Sequence, residues 1–536
     1  MKNIFCSTLF VLTTLSFSQT FAQTTQKGDE DLVKTISFLA DDKMKGRESG
    51  SKEDKEAAKY IASALKQFGF IPLIGDDPLV HFEFTLYREV GFGSKFKTGK
   101  ISKLEGKDFL VLPESPSAQI NAKIVYITHI DSIPGNISGK VAIISCTRDS
   151  IPFKVTLLKD KGISAVLFFS NDEISGGRRG GTNSISIPAL QITSALAAEL
   201  LSSPESEVFI KTVVNSVKGR SQNVIMQLGE KRFPNSILIG AHYDHIGVGG
   251  KGSGSMTPKM SEVHNGADDN ASGVAAAIEI GKFLAQVKDS LKFNIIVSAF
   301  GAEERGIIGS RFAADTLKAL NLLPKLMVNL DMVGRLSENR LQVGGTGTFS
   351  LADSIVNKVN RIFDFQLALT KDGYGPSDHA SFYTATVPVL YFTTGVHKQY
   401  HTPYDDIELI NFPGLARVSE FVATIVKEIA VNNQIPEYQK ISAPPAPGRA
   451  SFKVTLGLIP DFTYEKGDGF RVGSVTDGKP AQKGGMKAGD IITSMNSKPV
   501  SNIYDYMARL AELKAGQIID VKLIRDGKTV DLKIEL

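Results

Sequence analysis

Residues 236–245 read Ser-Ile-Leu-Ile-Gly-Ala-His-Tyr-Asp-His, and residues 266–273 read Gly-Ala-Asp-Asp-Asn-Ala-Ser-Gly. An apolar run of this length that ends in polar residues is typical of a buried parallel strand, and open α/β sheets place their sites at the carboxyl ends of such strands. Three later runs have the same form and end before Glu303-Glu304, before Asp331, and before a loop that carries His401. The pattern predicts an α/β domain in which four strand ends bring histidines and carboxylates together.

These residue types are the ligands that a pair of zinc ions needs. Imidazole nitrogens and carboxylate oxygens both bind zinc, and one carboxylate can bridge two ions. A single histidine after a strand is usually a hydrogen-bonded structural residue, and a Glu-Glu pair is usually solvated. Several such residues at the strand ends of one segment favour a metal site over these structural interpretations.

The order of these motifs resembles that of the two-zinc aminopeptidases of peptidase family M28. The matching motifs are His242-Tyr-Asp244, Asp268-Asp269-Asn-Ala-Ser272-Gly273, Glu303-Glu304, Asp331-Met332 and His401-Thr-Pro403. The resemblance implies an α/β fold of the zinc exopeptidase, phosphorylase/hydrolase-like kind, in which helices flank a mixed, mostly parallel sheet.

The resemblance also implies how the metal ligands divide between two zinc ions. The implied ligands are His242, Asp268, Glu304, Asp331 and His401. Asp268 is expected to bridge the two ions, while His242 and Asp331 complete one site and the other two residues complete the second. A cis peptide is expected between Asp268 and Asp269.

Two further residues are implied to be catalytic. Glu303 is expected to remain uncoordinated and to act as general base toward a zinc-bridging water, whose proton it then passes to the leaving amine. Asp244 is expected to be the carboxylate that fixes the tautomer of His242.

A later segment is similar to the family's Ser-Asp-His-x-x-Phe stretch beside the substrate pocket. The implied substrate-side residues are Tyr374, Ser377, Asp378 and His379. His379 is also the main rival of His401 as a metal ligand, and the Tyr-His-Thr-Pro context favours His401.

Residues 247–255 read Gly-Val-Gly-Gly-Lys-Gly-Ser-Gly-Ser. A phosphate-binding interpretation fails because the Gly-x-x-x-x-Gly-Lys-Ser/Thr spacing is absent and no predicted helix follows directly. Glycine costs little strain but orders poorly, so this stretch predicts a mobile loop at the mouth of the metal site.

A chain of 536 residues is longer than one core usually holds, so several domains are expected. Residues 1–22 contain Lys2, a short apolar stretch and a small-residue exit, which predict a cleaved secretory signal peptide. Its apolar stretch is too short for a comfortable membrane span. After cleavage Cys146 is the one remaining cysteine, so we expect a periplasmic or secreted protein without an intramolecular disulfide.

Two further modules are indicated by resemblance. Short strands with Gly and Pro turns interrupt the peptidase pattern and resemble the protease-associated domain at Gly139-Lys-Val-Ala-Ile-Ile and Ile187-Pro-Ala-Leu. This insert is expected to roof the cleft, with a structural spacer as the alternative. The last segment resembles a bacterial PDZ domain, and its loop of Leu456, Gly457 and Leu458 is expected to hold a peptide carboxylate, with a docking surface as the alternative.

The predicted domain organisation follows from these patterns. It comprises a signal peptide at 1–22, a peptidase domain at 27–105 and 215–435, a protease-associated domain at 106–214, a linker at 436–450 and a PDZ domain at 451–536. The linker is rich in proline and is expected to be stiff and extended.

The sequence favours a secreted aminopeptidase with two zinc ions, acting on the amino-terminal residues of peptides. One alternative is a glutaminyl cyclase of the same fold with a single zinc, and another is a non-catalytic peptide-binding protein of the transferrin-receptor kind. The net charge of +4 is small, and basic residues are interleaved with acidic ones. No nucleic-acid partner is therefore expected.

Overall fold

The structure is a computed structural model that describes residues 30–536 with internal gaps. The gaps are 129–132, 134, 171–173, 175–178, 181–183, 204–205, 251, 442–453, 461–467, 477, 502 and 515. The predicted signal peptide and most of the predicted linker lie outside the described residues. Within those residues, no helix is both long and apolar enough to cross a membrane.

The chain divides into two compact units, and the second is an insertion into the first. Among the described residues, the second unit covers Glu83–Gly219 and the first contains the rest. The insertion thus begins earlier and ends later than the predicted range 106–214.

The main sheet of the first unit has helices on both faces. Its strands are β1 (Phe70–Pro72), β2 (Leu79–Val90), β12 (Val214–Leu228), β13 (Ser236–His242), β14 (Asn294–Phe300), β15 (Leu326–Leu330), β16 (Arg340–Gly344), β17 (Gln366–Leu369) and β18 (Val389–Thr393). The central order is β17-β16-β18-β15-β13-β14-β12-β2. Ile237 and Ile239 of β13 join one apolar core, whereas Leu238 between them joins another. Because strand side chains alternate between faces, a continuous apolar strand must be covered by helices on both sides.

Ten labelled helices belong to the described part of the chain. They are α1 (Lys52–Gln67), α2 (Ile151–Asp160), α3 (Ser194–Leu201), α4 (Gly273–Gln286), α5 (Ile308–Ala319), α6 (Ala352–Phe363), α7 (His379–Thr384), α8 (Phe412–Val431), α9 (Pro480–Lys483) and α10 (Ile503–Ala511). Residues 30–39 are also helical. Helices α1, α4, α6 and α8 contribute to the core that contains Ile237, and α5 and α7 contribute to the core that contains Leu238.

Four neighbouring strands of the main sheet run parallel, which aligns their carboxyl ends. His242 at the end of β13 lies opposite Phe300 at the end of β14. Leu330 at the end of β15 lies opposite Phe392 of β18. The residues that follow these strands therefore emerge at one edge of the sheet, as the sequence predicts.

The inserted unit has its own eight-stranded sheet. Its strands are β3 (Lys95–Thr98), β4 (Ile101–Lys103), β5 (Phe109–Val111), β6 (Ala118–Ile127), β7 (Val141–Ser145), β8 (Ala165–Phe169), β10 (Ala189–Ile192) and β11 (Glu207–Thr212). Their order is β4-β3-β11-β6-β7-β8-β10-β5, and a short strand β9 (Arg179–Gly180) pairs with β2. Apolar cores lie on both faces of this sheet, so the unit is β-rich as predicted.

The carboxy-terminal segment forms a third sheet around a core of its own. Its strands are β19 (Leu458–Pro460), β20 (Phe470–Val475), β21 (Ile491–Met495), β22 (Lys498–Pro499), β23 (Ile518–Arg525) and β24 (Lys528–Glu535). Among the described residues β19 is an edge strand, since β20 is its partner and the order is β19-β20-β21-β23-β24. A buried Asp490 carboxylate accepts hydrogen bonds from the Arg525 guanidinium at 2.6 and 2.7 Å, which ties β23 to the loop before β21.

Candidate metal centre

Asp269 lies at the middle of a cluster of histidines and carboxylates at the carboxyl edge of the main sheet. Its Oδ1 is 3.3 Å from His242 Nε2, and its Oδ2 is 3.2 Å from His401 Nε2. The two oxygens of one carboxylate thus face two different imidazoles. This is the arrangement required of a carboxylate shared by two metal ions.

One half of the cluster is built on β13 and β15. His242 is the last residue of β13, and its Nε2 lies 3.5 Å from Oδ1 of Asp331, the residue after β15. The other ring nitrogen of His242 lies 3.2 Å from the main-chain oxygen of Asp244. A carbonyl can only accept, so this hydrogen bond keeps a proton on Nδ1 and leaves Nε2, which faces Asp269 and Asp331, as the nitrogen available to a metal ion.

The other half is built from the segments after β14 and β18. His401 Nε2 lies 3.2 Å from Oε2 of Glu304 as well as from Asp269, and His401 Nδ1 lies 3.1 Å from the main-chain oxygen of Gly254. His245 also enters this half, with its Nδ1 at 2.7 Å from Glu304 Oε1 and 3.9 Å from Asp269 Oδ2. The half therefore contains His245, Asp269, Glu304 and His401.

The spacing of these atoms fits zinc. Ligand atoms at usual zinc distances on a tetrahedron are about 3.4 Å apart. The four separations from His242 Nε2 and His401 Nε2 to the facing carboxylate oxygens range from 3.2 to 3.5 Å. His245 differs, because its 2.7 Å separation from Glu304 is that of a direct hydrogen bond.

The electrostatics of the cluster favour a cation. Burial on its own disfavours a charged imidazole, yet Glu304 and Asp269 beside it raise the pKa of His401 to about 11. Burial would likewise raise the pKa of Glu304, but the adjacent His401 and His245 hold it at about 2. The carboxylates thus create a strong negative potential, which a divalent cation would neutralise with release of the imidazole protons.

Asp268 was predicted to bridge the ions, but the cluster contains the next residue, Asp269, in its place. The Asp268 carboxylate belongs to neither half of the cluster. Its Oδ1 accepts hydrogen bonds from Gly334 N at 2.7 Å and from Ser272 Oγ at 2.9 Å. Its Oδ2 lies 3.2 Å from His397 Nε2. The backbone turn at Ala267–Ser272 directs successive carboxylates to opposite sides. The predicted cis peptide is displaced in the same way, since it joins Asp269 to Asn270.

Asp405 positions this turn. One of its carboxylate oxygens accepts hydrogen bonds from the backbone nitrogens of Asp268 at 3.0 Å and Asp269 at 2.9 Å. Asp405 follows His401 by four residues. The same loop therefore carries one imidazole of the cluster and the carboxylate that holds the Asp269 backbone. No motif of the sequence marks Asp405 as part of the site.

Glu303 and Glu304 have different environments although they are adjacent. Glu304 is part of the metal cluster and Glu303 is not. Burial raises the pKa of Glu303 well above the ordinary value, and the nearby carboxylates of Asp378, Glu304 and Asp331 add to this effect. Glu303 is therefore a carboxyl outside the metal cluster, in an environment that favours its protonated form.

The Asp244 carboxylate is hydrogen-bonded to the backbone of Glu303 and lies farther from the His242 ring. Its carboxylate oxygens accept from Glu303 N at 3.0 Å and from Ser49 Oγ at 2.7 Å. Its carboxylate is 4.0 Å from His242 Nδ1, farther than its own main-chain oxygen. The hydrogen bond that fixes the His242 tautomer is therefore accepted by the Asp244 carbonyl and not, as predicted, by the Asp244 carboxylate.

A buried arginine joins the segments that carry the cluster. Arg47 is fully buried, and its guanidinium donates to the main-chain oxygens of Tyr243 at 2.7 Å, Asn265 at 2.7 Å and Gly266 at 3.1 Å, and also to that of Leu39. One side chain thus ties the end of β13 to the turn before Asp269. The sequence places this arginine in a Gly-Arg turn but gives no sign of its carbonyl partners.

The predicted substrate-side residues lie close to one another. His379 is buried and stacks on Tyr391 with ring centroids 4.4 Å apart, and burial lowers its pKa to about 4. Ser377 Oγ accepts from Asn329 Nδ2 at 2.8 Å, and Asp378 is buried with its pKa raised to about 7 by burial. Tyr374 is partly exposed. His379 is absent from the metal cluster, so the geometry agrees with the choice of His401.

The predicted peptide loop of the carboxy-terminal segment is only partly available to a ligand. The Leu456 side chain is fully buried in the core, and its carbonyl accepts from Ala481 N at 2.9 Å. Gly457 has φ +72°, and a Cβ there would lie 2.3 Å from Lys479 Cβ, so glycine is required. Leu458 begins the edge strand β19.

His245 is the main residue of the site that the sequence analysis missed. It stands three residues after His242 in the same His-Tyr-Asp-His stretch, so a signal was present. The resemblance assigned one histidine of this stretch to the metal, and only the three-dimensional arrangement shows that the second also faces Glu304.

The mostly parallel sheet and the histidine–carboxylate cluster at its carboxyl edge define the class as zinc-exopeptidase-like α/β proteins. Residues 223–426 match the model of peptidase family M28, and residues 455–536 match that of the PDZ domain. The chain is therefore similar to M28 peptidases in its central part and to PDZ domains in its last part. The protease-associated identity of the inserted unit stays a prediction.

Individual relatives match parts of the chain. Aminopeptidase YwaD of Bacillus subtilis is 28% identical over 323 residues, which is 56% of this chain and 64% of the relative, so this chain spans less than two thirds of its length. A probable periplasmic serine protease of the do/HhoA-like kind from Haemophilus influenzae is 39% identical over 84 residues, 16% of this chain and 18% of the relative. A solved aminopeptidase from Aneurinibacillus sp. strain AM-1 is 25% identical with a TM-score of 0.47, covering 78% of this chain and 96% of that one.

Proposed function

We propose that this protein is a secreted zinc-dependent aminopeptidase that removes amino-terminal residues from peptides. The observation that carries the proposal is the Asp269 carboxylate, whose two oxygens face the imidazoles of His242 and His401 separately. The M28 match and the aminopeptidase name of the Bacillus subtilis relative support the choice of reaction.

The residues that would hold zinc fall into two sets that share Asp269. His242 and Asp331 would hold one ion, and Glu304 and His401 would hold the other, with His245 hydrogen-bonded to Glu304. Bound zinc would supply Lewis-acid activation of a water molecule and of the scissile carbonyl. A complete set on each side of Asp269 favours this function over a cyclase with one zinc or a protein without metal.

Glu303 would move the proton in this reaction. Its carboxylate takes a proton from the attacking water, so that the water oxygen can bond to the scissile carbonyl carbon. It then gives the proton to the amine nitrogen as the carbon–nitrogen bond breaks. A pKa raised by burial and by Asp378 suits a group that must both accept and donate a proton. The Asp244 carboxylate holds the Glu303 backbone nitrogen, which orients this side chain.

The PDZ domain would bind an extended peptide beside β19. Its Gly457 turn and strand β19, which is an edge strand within the described part of the chain, suit a carboxy-terminal peptide that adds a strand to the sheet. Because Leu456 is buried, its side chain would contribute through the core and not through contact with the peptide.

The test of the function compares two neighbouring substitutions, Glu303→Gln and Glu304→Gln. Wild type should hold about two zinc ions and release amino-terminal residues from a peptide. Glu303→Gln should keep the zinc content and lose about 10²- to 10⁴-fold in turnover, because an amide cannot carry the proton. Glu304→Gln should lose zinc as well as turnover.

Zinc analysis of the purified proteins, together with peptidase rates, decides among the functions. One zinc ion in wild type would favour the cyclase, and none would favour the binding protein. Loss of zinc in Glu303→Gln with retention in Glu304→Gln would mean that the roles of the two glutamates are reversed.

A further inference from the structure

The segment between β13 and Asp269 contains a buried histidine with no part in the proposed chemistry. His264 is fully buried, and its Nδ1 lies 2.9 Å from the main-chain oxygen of Glu262. Its Nε2 lies 2.9 Å from Ser255 Oγ. Since the Glu262 carbonyl can only accept, Nδ1 carries the proton, and the Ser255 hydroxyl must donate to Nε2.

The residues on each side of Ser255 both contact His401. The Gly254 oxygen accepts a hydrogen bond from His401 Nδ1 at 3.1 Å, and Met256 N donates to the His401 oxygen at 2.9 Å. The Gly254 contact places the His401 proton on Nδ1. It thereby leaves Nε2, which lies 3.2 Å from both Asp269 and Glu304, as the ring nitrogen available to a metal ion.

The glycines of this segment allow close packing on His264. His264 N donates to the Gly247 oxygen at 2.9 Å, and a Cβ on Gly249 would lie 2.3 Å from His264 Cε1. Gly254 has φ +97°, a conformation that favours glycine. The backbone at Gly249 therefore lies close against the buried ring, and the Gly247 oxygen is hydrogen-bonded to the His264 backbone nitrogen.

We propose that the Ser255–His264 hydrogen bond is a positioning contact for His401. It holds the Gly254 carbonyl against His401 Nδ1, which fixes the orientation and tautomer of the imidazole that faces Asp269 and Glu304. Ser255 and His264 thereby raise the zinc affinity of this half of the centre without touching the metal. The inference rests on the proposed function, because it requires that this half binds zinc.

The experiment measures zinc affinity by competition with a chelator in the full-length protein. Removing an outer partner of a metal-ligating histidine typically costs about 10- to 100-fold in affinity. Ser255→Ala and His264→Asn should each weaken one zinc-binding step by this factor and leave the other unchanged. Ser261→Ala, which alters an exposed serine of the same segment, should change neither step.

A second background separates positioning from general support of the fold. In a His401→Ala variant the contact has no imidazole to orient, so adding Ser255→Ala should cause no further loss of zinc affinity. In a His242→Ala variant, which retains the half with His401, Ser255→Ala should still weaken binding about 10-fold or more.

Each remaining outcome contradicts the inference. Unchanged zinc affinity in Ser255→Ala and His264→Asn would overturn it while leaving the proposed function intact. Equal loss in the His401→Ala and His242→Ala backgrounds would show that the contact supports the fold and does not act through His401. Wild type without zinc would overturn both the function and the inference.

Discussion

Asp268 and Asp269 are chemically identical neighbours with different partners. The Asp268 carboxylate is occupied by Gly334 N and Ser272 Oγ, whereas the Asp269 carboxylate faces His242 and His401. Burial opposes the charge of Asp269, but hydrogen bonds from these two imidazoles hold its pKa well below the ordinary value. The local backbone, and not residue type, therefore decides which aspartate is available to metal.

This difference gives a paired prediction. Asp269→Asn should lower zinc content and peptidase rate together, because it removes a charge that both ions would share. Asp268→Asn should keep the zinc content close to wild type, since an amide oxygen can still accept from Gly334 N. Zinc analysis of both variants is the measurement, and a greater loss of zinc in Asp268→Asn would contradict the assignment.

At this scale the sequence predicts residue types better than their individual roles. His242, Glu304, Asp331 and His401 were predicted as ligands, and all four lie in the cluster. The register within the aspartate pair could not be predicted, because both residues offer the same donor atoms. Arg47 could not be assigned either, since its partners are main-chain oxygens that sequence patterns do not mark.

Among the helices, α1 has a buried carboxylate, that of Asp54, in its first turn. Ser51 Oγ accepts from Asp54 N at 3.0 Å, and Asp54 Oδ2 accepts from Gly50 N at 2.9 Å, which together cap the helix. Burial raises the pKa of Asp54 from 3.8 to about 7. The folded protein therefore binds this proton more tightly than the unfolded chain does.

The raised pKa of Asp54 makes the free energy of unfolding depend on pH. Between about pH 4 and pH 7 the unfolded chain has lost the Asp54 proton while the folded protein retains it, so stability falls as pH rises through this range. Asp54→Asn should remove this decline, worth a few kcal/mol at most, while its amide oxygen still accepts from Gly50 N. The measurement is the difference in urea unfolding free energy between variant and wild type from pH 4 to pH 8. A difference that does not change with pH would contradict the prediction.

Elements differ in how well a sequence specifies them. The four parallel strands were predicted because buried strands read as continuous apolar runs that end in polar residues. The Gly-rich segment at 247–255 was predicted as mobile because its composition suggests weak order. The contacts of Ser255 with His264 and of Gly254 with His401 join this segment to other parts of the chain, and its composition gives no sign of them.

On the scale of the whole molecule, three sheets have separate apolar cores. The PDZ core includes Leu456, Phe470, Ile492 and Leu523, all of them after the predicted linker. The metal cluster is contained in His242–His401. Each module thus has its own apolar core, and the metal cluster lies in only one of these modules among the described residues.

Removal of residues 451–536 tests this separation. The truncated protein should keep its zinc content and should hydrolyse small amino-acyl substrates within a few-fold of the intact rate, because no residue of the cluster is removed. Zinc analysis and initial rates of both proteins are the measurements. Loss of zinc on truncation would show that the PDZ domain is needed to form the centre.

The boundaries of the inserted unit were harder to predict than its presence. Strands β2 and β12 run through the limits at Glu83 and Gly219, so no turn or change in composition marks the point where one unit ends. The side chains in the first part of β12 are mostly exposed or half-buried, and those in its second part are buried. The change from one unit to the other therefore falls inside a continuous strand.

The residues of the metal cluster follow different strands, so they are synthesised at different times. His242 leaves the ribosome long before His401, and the Asp405 carboxylate that holds the Asp269 turn follows later still. A nascent chain that ends before His401 lacks one imidazole and the anchor of the shared aspartate. Zinc bound as proposed would therefore enter the complete centre only after the last strand of the main sheet has been synthesised.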